Sequence, residues 1–422
     1  MLNKPCKNTE VLFTFIQNMV KNYALLLFSV LVLTGATFAQ SNKNSIELSA
    51  FTGLSIFSAE GNTLGGKPYG LEAAYHINMA DNQADWVKGL NIRDVSIALS
   101  YRNMENIYLT KRANTTGILG DYIGAVSRIS VVMAKAGRTE FLLVPGFGFG
   151  YATETYYTDE RNILVGSHIN FTAQIGAKVL TPVGSSARLI GGFDLYHYSN
   201  AAFKNPNDGI NSVNFSLGID HDISADAPKT SQHPFKNYEK HSFEFGIGIG
   251  RRGLVQTGGG LDPALYPQNV AYQRTATSDL YQSGLYLGYN YRANPVLSLR
   301  VGLDADYYYR TIDTVSNIHH FYATYQELGS SYDRIRIGAS VGAELWMGKL
   351  SFPVNFGHYI HYNYFVPTYD HTYQPPAFYW SFGARYYLAP WVALEAKQYL
   401  HRTQADFANF GLVFKLHHGK VD

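Results

Sequence analysis

Leu297-Ser298-Leu299-Arg300-Val301-Gly302-Leu303-Asp304-Ala305-Asp306 is the stretch that decides the fold. Leu297, Leu299, Val301, Leu303 and Ala305 share one face, and Ser298, Arg300, Gly302, Asp304 and Asp306 share the other, so the segment is a strand, half apolar and half polar. Phe243, Phe245, Ile247 and Ile249 alternate in the same way with Glu244, Gly246, Gly248 and Gly250. Phe147, Phe149 and Tyr151 alternate with Gly146, Gly148 and Gly150. Large residues outward and small residues inward suit a narrow barrel. A soluble sandwich or a lipocalin-like barrel also alternates, but several of these runs pass the usual strand length of about 5–6 residues and reach the roughly 9–11 that cross a membrane. The fold class expected is all-β, an antiparallel transmembrane β-barrel.

Composition points the same way. Aromatic residues make up 15% of the chain, with 33 tyrosines, and charged residues only 16%, which suits a barrel with aromatic girdles. The 34 basic and 32 acidic residues nearly cancel, so nothing in the charge calls for nucleic acid. Ala24 to Ala36 is a short apolar run after Lys21, followed by Thr37, Phe38, Ala39 and Gln40. It is too short for a spanning helix and reads as a cleavable signal peptide over residues 1–39, cut after Ala39, with Met19 as a possible start. The one cysteine, Cys6, lies in that segment, so thiol chemistry is excluded from the mature chain. An exported barrel belongs in the cell outer membrane.

Period-two stretches come in two sets of about eight, over residues 40–221 and 241–418. The polar segment 222–240, with Pro228 and Pro234 and no alternation, reads as a linker. The halves also match in letters: His197-Tyr198-Ser199-Asn200-Ala201-Ala202-Phe203 aligns with His401-Arg402-Thr403-Gln404-Ala405-Asp406-Phe407. Duplication explains this, with the second copy degenerate. Two tandem eight-stranded barrels are preferred over one sixteen-stranded barrel, because the linker is long and polar.

The strongest local signal is Tyr196 to Asn211, YHYSNAAFKNPNDGIN. In a strand His197 and Ser199 point to the same face, where an imidazole can take the proton of a hydroxyl that attacks an ester. Phe193 and Leu195 precede them on that face, which makes it the lipid side. Read as a structural segment, Asn205-Pro206-Asn207-Asp208-Gly209 is ordinary turn chemistry and His197 a rim residue.

The HxSN, Pro-Asn and glycine of this stretch resemble the signature of the lipid A 3-O-deacylase (PagL) family, or acyloxyacyl hydrolase-like outer-membrane esterases. The resemblance implies Ser199 as nucleophile, His197 as general base, and Asn200 or Asn207 as donors to the oxyanion. It implies lipid A, or a related glycolipid of lipopolysaccharide, as substrate, and no cofactor. Where that pattern places a glutamate to orient the histidine, this chain has Asn211, with Asp208 nearby in the loop. An asparagine can hold an imidazole but supplies no charge to stabilise imidazolium.

Other motifs are weaker. Gly248, Gly250 and Gly253 form a lone GxGxxG without a strand-turn-helix unit, so they are barrel glycines. His358 and His361 fall on opposite faces of a strand, and His319-His320 on a loop, so no metal site is expected. Two non-catalytic alternatives stand beside the hydrolase: a narrow channel, and a structural or adhesive barrel displaying the tyrosine-rich stretch from Phe365 to Tyr379.

Overall fold

The computed structural model describes residues 43–55, 64–111, 113–201, 203–204, 207–226, 239–255, 276–309, 312–317, 322–327, 335–362, 377–401 and 404–416. The expected signal peptide and most of the expected linker lie outside the described residues. The chain forms two closed eight-stranded antiparallel barrels, the arrangement preferred on account of the long polar segment between the two sets of strands, and not one wide barrel.

The first barrel runs through β1 (Lys43–Ser55), β2 (Leu64–Gly65), β3 (Tyr69–Asn78), β4 (Ile92–Asn103), β5 (Tyr108–Leu109), β6 (Asp121–Ala136), β7 (Thr139–Ala152), β8 (Ile169–Pro182), β9 (Ala187–Ser199) and β10 (Ile210–Asp226). Its wall omits β2 and β5, which pair with each other, and it closes where β1 bonds to both β3 and β10. One short helix, α1 (Asp85–Gly89), sits between β3 and β4. β10 runs to Asp226, past the expected start of the linker at residue 222, because its last residues still pair with the start of β1.

The second barrel follows with β11 (His241–Val255), β12 (Ala276–Asn294), β13 (Leu297–Tyr308), β14 (Ile312–Asn317), β15 (Tyr322–Glu327), β16 (Ile335–Met347), β17 (Leu350–Tyr362), β18 (Phe378–Ala389), β19 (Val392–His401) and β20 (Gln404–Leu416). β14 and β15 form a separate hairpin, and β11 closes the wall against β12 and β20. Closure leaves no free sheet edge, the condition for crossing hydrocarbon with strands.

Along β3 exposed and buried residues alternate one by one. Outward side chains such as Leu71, Leu99, Ile123, Phe193, Leu287 and Val341 form an apolar belt around each barrel. Inside, many of the charges are paired. Arg128 grips Glu72 through both terminal nitrogens, Lys178 Nζ lies 2.8 Å from Glu47, and His76 bridges Glu47 and Asp94 at 3.1 and 2.9 Å. In the second barrel Arg300 and Arg385 each approach Glu244 to 2.9 Å, and Lys397 reaches Asp304 at 3.1 Å. These side chains fill the lumen, as the width of an eight-stranded barrel requires.

Not every aromatic faces lipid. Tyr122, Tyr196, Tyr198, Tyr286, Tyr379 and Tyr399 are buried inside. Inward glycines make room for several of them: a Cβ on Gly150 would lie 2.2 Å from the Tyr122 ring, and one on Gly288 or Gly302 would strike Tyr286. The expectation of small residues inward therefore holds at these positions for a specific reason, and part of the tyrosine content belongs to the core and not to the girdles.

Candidate functional site

β9 carries the site. Phe193 and Leu195 are 51% and 48% exposed on its outer face, and His197 and Ser199 continue that row toward the rim. The alternate residues anchor the strand from within. Tyr198 stacks on Tyr122 with centroids 4.1 Å apart and donates its hydroxyl to Met104 Sδ at 2.9 Å. Tyr196 lies under the Arg102 guanidinium at 3.4 Å. Packed inner side chains thus fix the direction of the outer ones.

The register of β9 against β10 sets Asn211 directly opposite His197. Asn211 Oδ1 lies 2.8 Å from His197 Nδ1, and Ser199 Oγ lies 3.1 Å from His197 Nε2. A carbonyl oxygen only accepts, so Nδ1 carries the proton and donates it to Asn211. Nε2 is then left with its lone pair facing the serine hydroxyl, the tautomer a general base needs. Asn211, and not Asp208, reaches the imidazole.

Gly209 closes the arrangement. Its φ is +69°, and a Cβ there would lie 3.0 Å from His197 Cε1 and 3.1 Å from the Ser199 Cβ. Asn200 and Asn207 brace the connecting loop. The Asn200 amide nitrogen donates to Lys204 O at 2.6 Å, and the Asn200 backbone N–H donates to Asn207 Oδ1 at 2.9 Å. The loop after β7 holds it from outside: Gly209 N donates to Leu164 O at 3.0 Å, and Lys204 Nζ sits 3.7 Å over the Tyr157 ring. In that loop hydrogen bonds from Arg161 keep the Asp159 carboxyl below the usual carboxylate range.

Sequence reasoning did not find the site's surroundings. Across β8, Ala173 pairs with His197 and Phe171 with Ser199. Phe147, Phe149, Phe171 and Phe203 form a continuous aromatic strip, with successive centroids 5.2–6.2 Å apart. Phe147 and Phe149 stood out by alternation, but their partnership with Phe171 depends on cross-strand register. A small alanine beside the imidazole and an aromatic wall next to it form an apolar shelf at the histidine–serine pair.

The second barrel has no equivalent on its outer face among the described residues. His401 turns to the tyrosine cluster and lies 2.7 Å from the Tyr359 hydroxyl, and a register shift at Tyr399/Leu400 accompanies the change. Thr403 lies outside the described residues. Gly246, Gly248 and Gly250 are strand residues of β11.

Closed barrels with an apolar belt and a Ser-His-Asn array on the lipid side define an outer-membrane β-barrel protein. Residues 68–220 match the family model Lipid A 3-O-deacylase (PagL), and residues 241–418 match the model Acyloxyacyl hydrolase, C-terminal domain. The chain belongs to this PagL-like, acyloxyacyl hydrolase-like family of outer-membrane β-barrel hydrolases, one half matching each model. Among solved structures it is similar to the outer membrane enzyme PagL, at 20% identity over 42% of this chain and 99% of that one, with a TM-score of 0.27. It is also similar to Neisserial surface protein A (NspA), at 10% identity over 43% of this chain and 97% of that one, with a TM-score of 0.29. No curated relative matches the chain.

Proposed function

We propose that the first barrel is a carboxylester hydrolase that removes an acyl chain from lipid A, or a related acylated glycolipid, in the outer leaflet. The observation that carries this reading is the contact of Ser199 Oγ with His197 Nε2 at 3.1 Å on the lipid-facing side of β9. Ser199 Oγ attacks the ester carbonyl carbon while His197 Nε2 takes its proton. As the tetrahedral intermediate collapses, His197 returns that proton to the departing sugar-side oxygen and the acyl group stays on Ser199. A water molecule, deprotonated by His197, then frees the fatty acid and restores Ser199.

Asn211 holds the imidazole in register through a neutral bond. For the oxyanion, the Asn207 side-chain N–H₂ is the candidate donor, since one N–H of the Asn200 amide already donates to Lys204 O. With the lumen filled by ion pairs, the substrate enters sideways from the membrane and lays its chain along the Phe147–Phe149–Phe171 strip.

The test is mass spectrometry of lipid A from cells expressing the chain or its Ser199→Ala variant. Loss of one acyl chain that requires Ser199 supports the hydrolase. An unchanged profile, with folded protein in the outer membrane, overturns it. Asn211 in place of an acid then favours the second reading, a barrel that holds the lipid without cleaving it.

A further inference from the structure

A second lipid-facing histidine stands on the other barrel, away from the array of β9. His358 points outward from β17 between Phe356 and Ile360, and Ile360, nearer the rim, is itself 68% exposed to the membrane. His358 therefore belongs to the lipid-facing row of β17, toward the end at which β18 begins. Its ring meets the Phe378 ring edge-on at 4.8 Å, and no described residue hydrogen-bonds to its nitrogens. A neutral imidazole always carries one N–H, and leaving that donor unmet in hydrocarbon is costly.

The surroundings are shaped to receive something. The register sets Leu303, Ala339 and His358 side by side, and His358 opposite Phe378, the first residue of β18. Ala339 is the small member of this row. It forms the floor of a groove of about 780 Å³ whose walls include Leu303, Val341, Phe356 and Phe378. The exposed lining is mostly apolar: Glu244 and Ser340, which also border the groove, are turned inward and buried, whereas His358 is exposed on the outer face.

We propose that this groove binds one membrane lipid through an ester-linked acyl chain, the chain lying over Ala339 and the His358 N–H donating to the ester carbonyl. The occupant is a lipid because the face is part of the membrane-embedded belt. An ester is the polar group attached to an acyl chain that accepts a hydrogen bond without bringing a charge into the belt. No described hydroxyl stands beside His358 as Ser199 stands beside His197, so this site holds its lipid without cleaving it. The inference does not depend on hydrolysis by the first barrel.

The test uses the full chain carrying Ser199→Ala, in detergent micelles, titrated with diacyl phosphatidylcholine and separately with its dialkyl ether counterpart. Native mass spectrometry counts retained lipids and reports any dimer. His358→Phe is expected to remove one retained diacyl lipid and weaken its binding about tenfold. His358→Gln keeps a donor and should retain it, and Ala339→Phe should exclude it by filling the floor. The dialkyl lipid should bind like the diacyl lipid does to His358→Phe. The shift in electrophoretic mobility between heated and unheated samples verifies that each variant is folded. Equal retention of ester and ether lipids, equal retention by His358→Phe, or a dimer abolished by Ala339→Phe would each overturn the proposal.

Discussion

Asn211 is the residue on which the chemistry turns. Its amide sets the imidazole tautomer, yet in the proposed mechanism it offers no charge to the imidazolium that would form as Ser199 attacks. Asn211→Glu should therefore raise the rate of deacylation by about tenfold or more, because a carboxylate stabilises that cation. The same change should move the acid limb of the pH–rate profile upward, since a neighbouring negative charge makes His197 harder to deprotonate. For the native chain the rate should rise with pH as His197 loses its proton. A flat profile across the histidine range would remove His197 from its assigned role. Gly209→Ala tests the adjoining constraint. The left-handed backbone costs an L-residue about 1–2 kcal/mol. The new methyl group also presses on both His197 and Ser199. Turnover should fall by about a hundredfold, the scale of an ångström-sized misplacement, in protein that still folds.

At the level of elements, the alternation in β7, β11 and β13 was legible from letters alone, because period two survives whatever a strand pairs with. Which strand lies beside which followed from up-and-down order. Register did not. That Asn211 would face His197 came only through a resemblance, and that Ala173 and Phe171 flank the pair was invisible, since nothing local specifies the offset of β8 against β9. The inward tyrosines were missed for a related reason: alternation separates two faces but does not say what fills a lumen, and it is Gly150, on the next strand, that clears the space for Tyr122. Ala173→Phe, on the shelf beside the imidazole, should lower kcat/KM for the acylated substrate about tenfold or more while leaving unfolding unchanged. An unaltered kcat/KM would mean that the acyl chain does not cross β8.

The whole molecule is two barrels of one plan with different interiors. In the second, Arg385 joins Glu244, Glu344 and Glu395 at 2.9, 3.3 and 2.6 Å. Arg385→Met takes the shared cation from three buried carboxylates, leaving Glu244 and Glu344 to Arg300 and Glu395 without its ion pair, and should cost about 3–5 kcal/mol, read as a lower urea midpoint in micelles. An unchanged midpoint would show that water or ions compensate inside.

Because those ion pairs fill the lumens and Ser199 stands on the lipid-facing side of β9, the proposed reaction draws its lipid substrate from within the plane of the bilayer. Encounter is then two-dimensional. The concentration that governs turnover is the number of substrate molecules per lipid molecule in the leaflet, not per litre of suspension. In mixed micelles the rate should halve when inert detergent dilutes the surface twofold, even though the bulk amount of substrate is fixed. The freed fatty acid, released into the same leaflet, should accumulate there and slow the reaction until something outside the protein removes it.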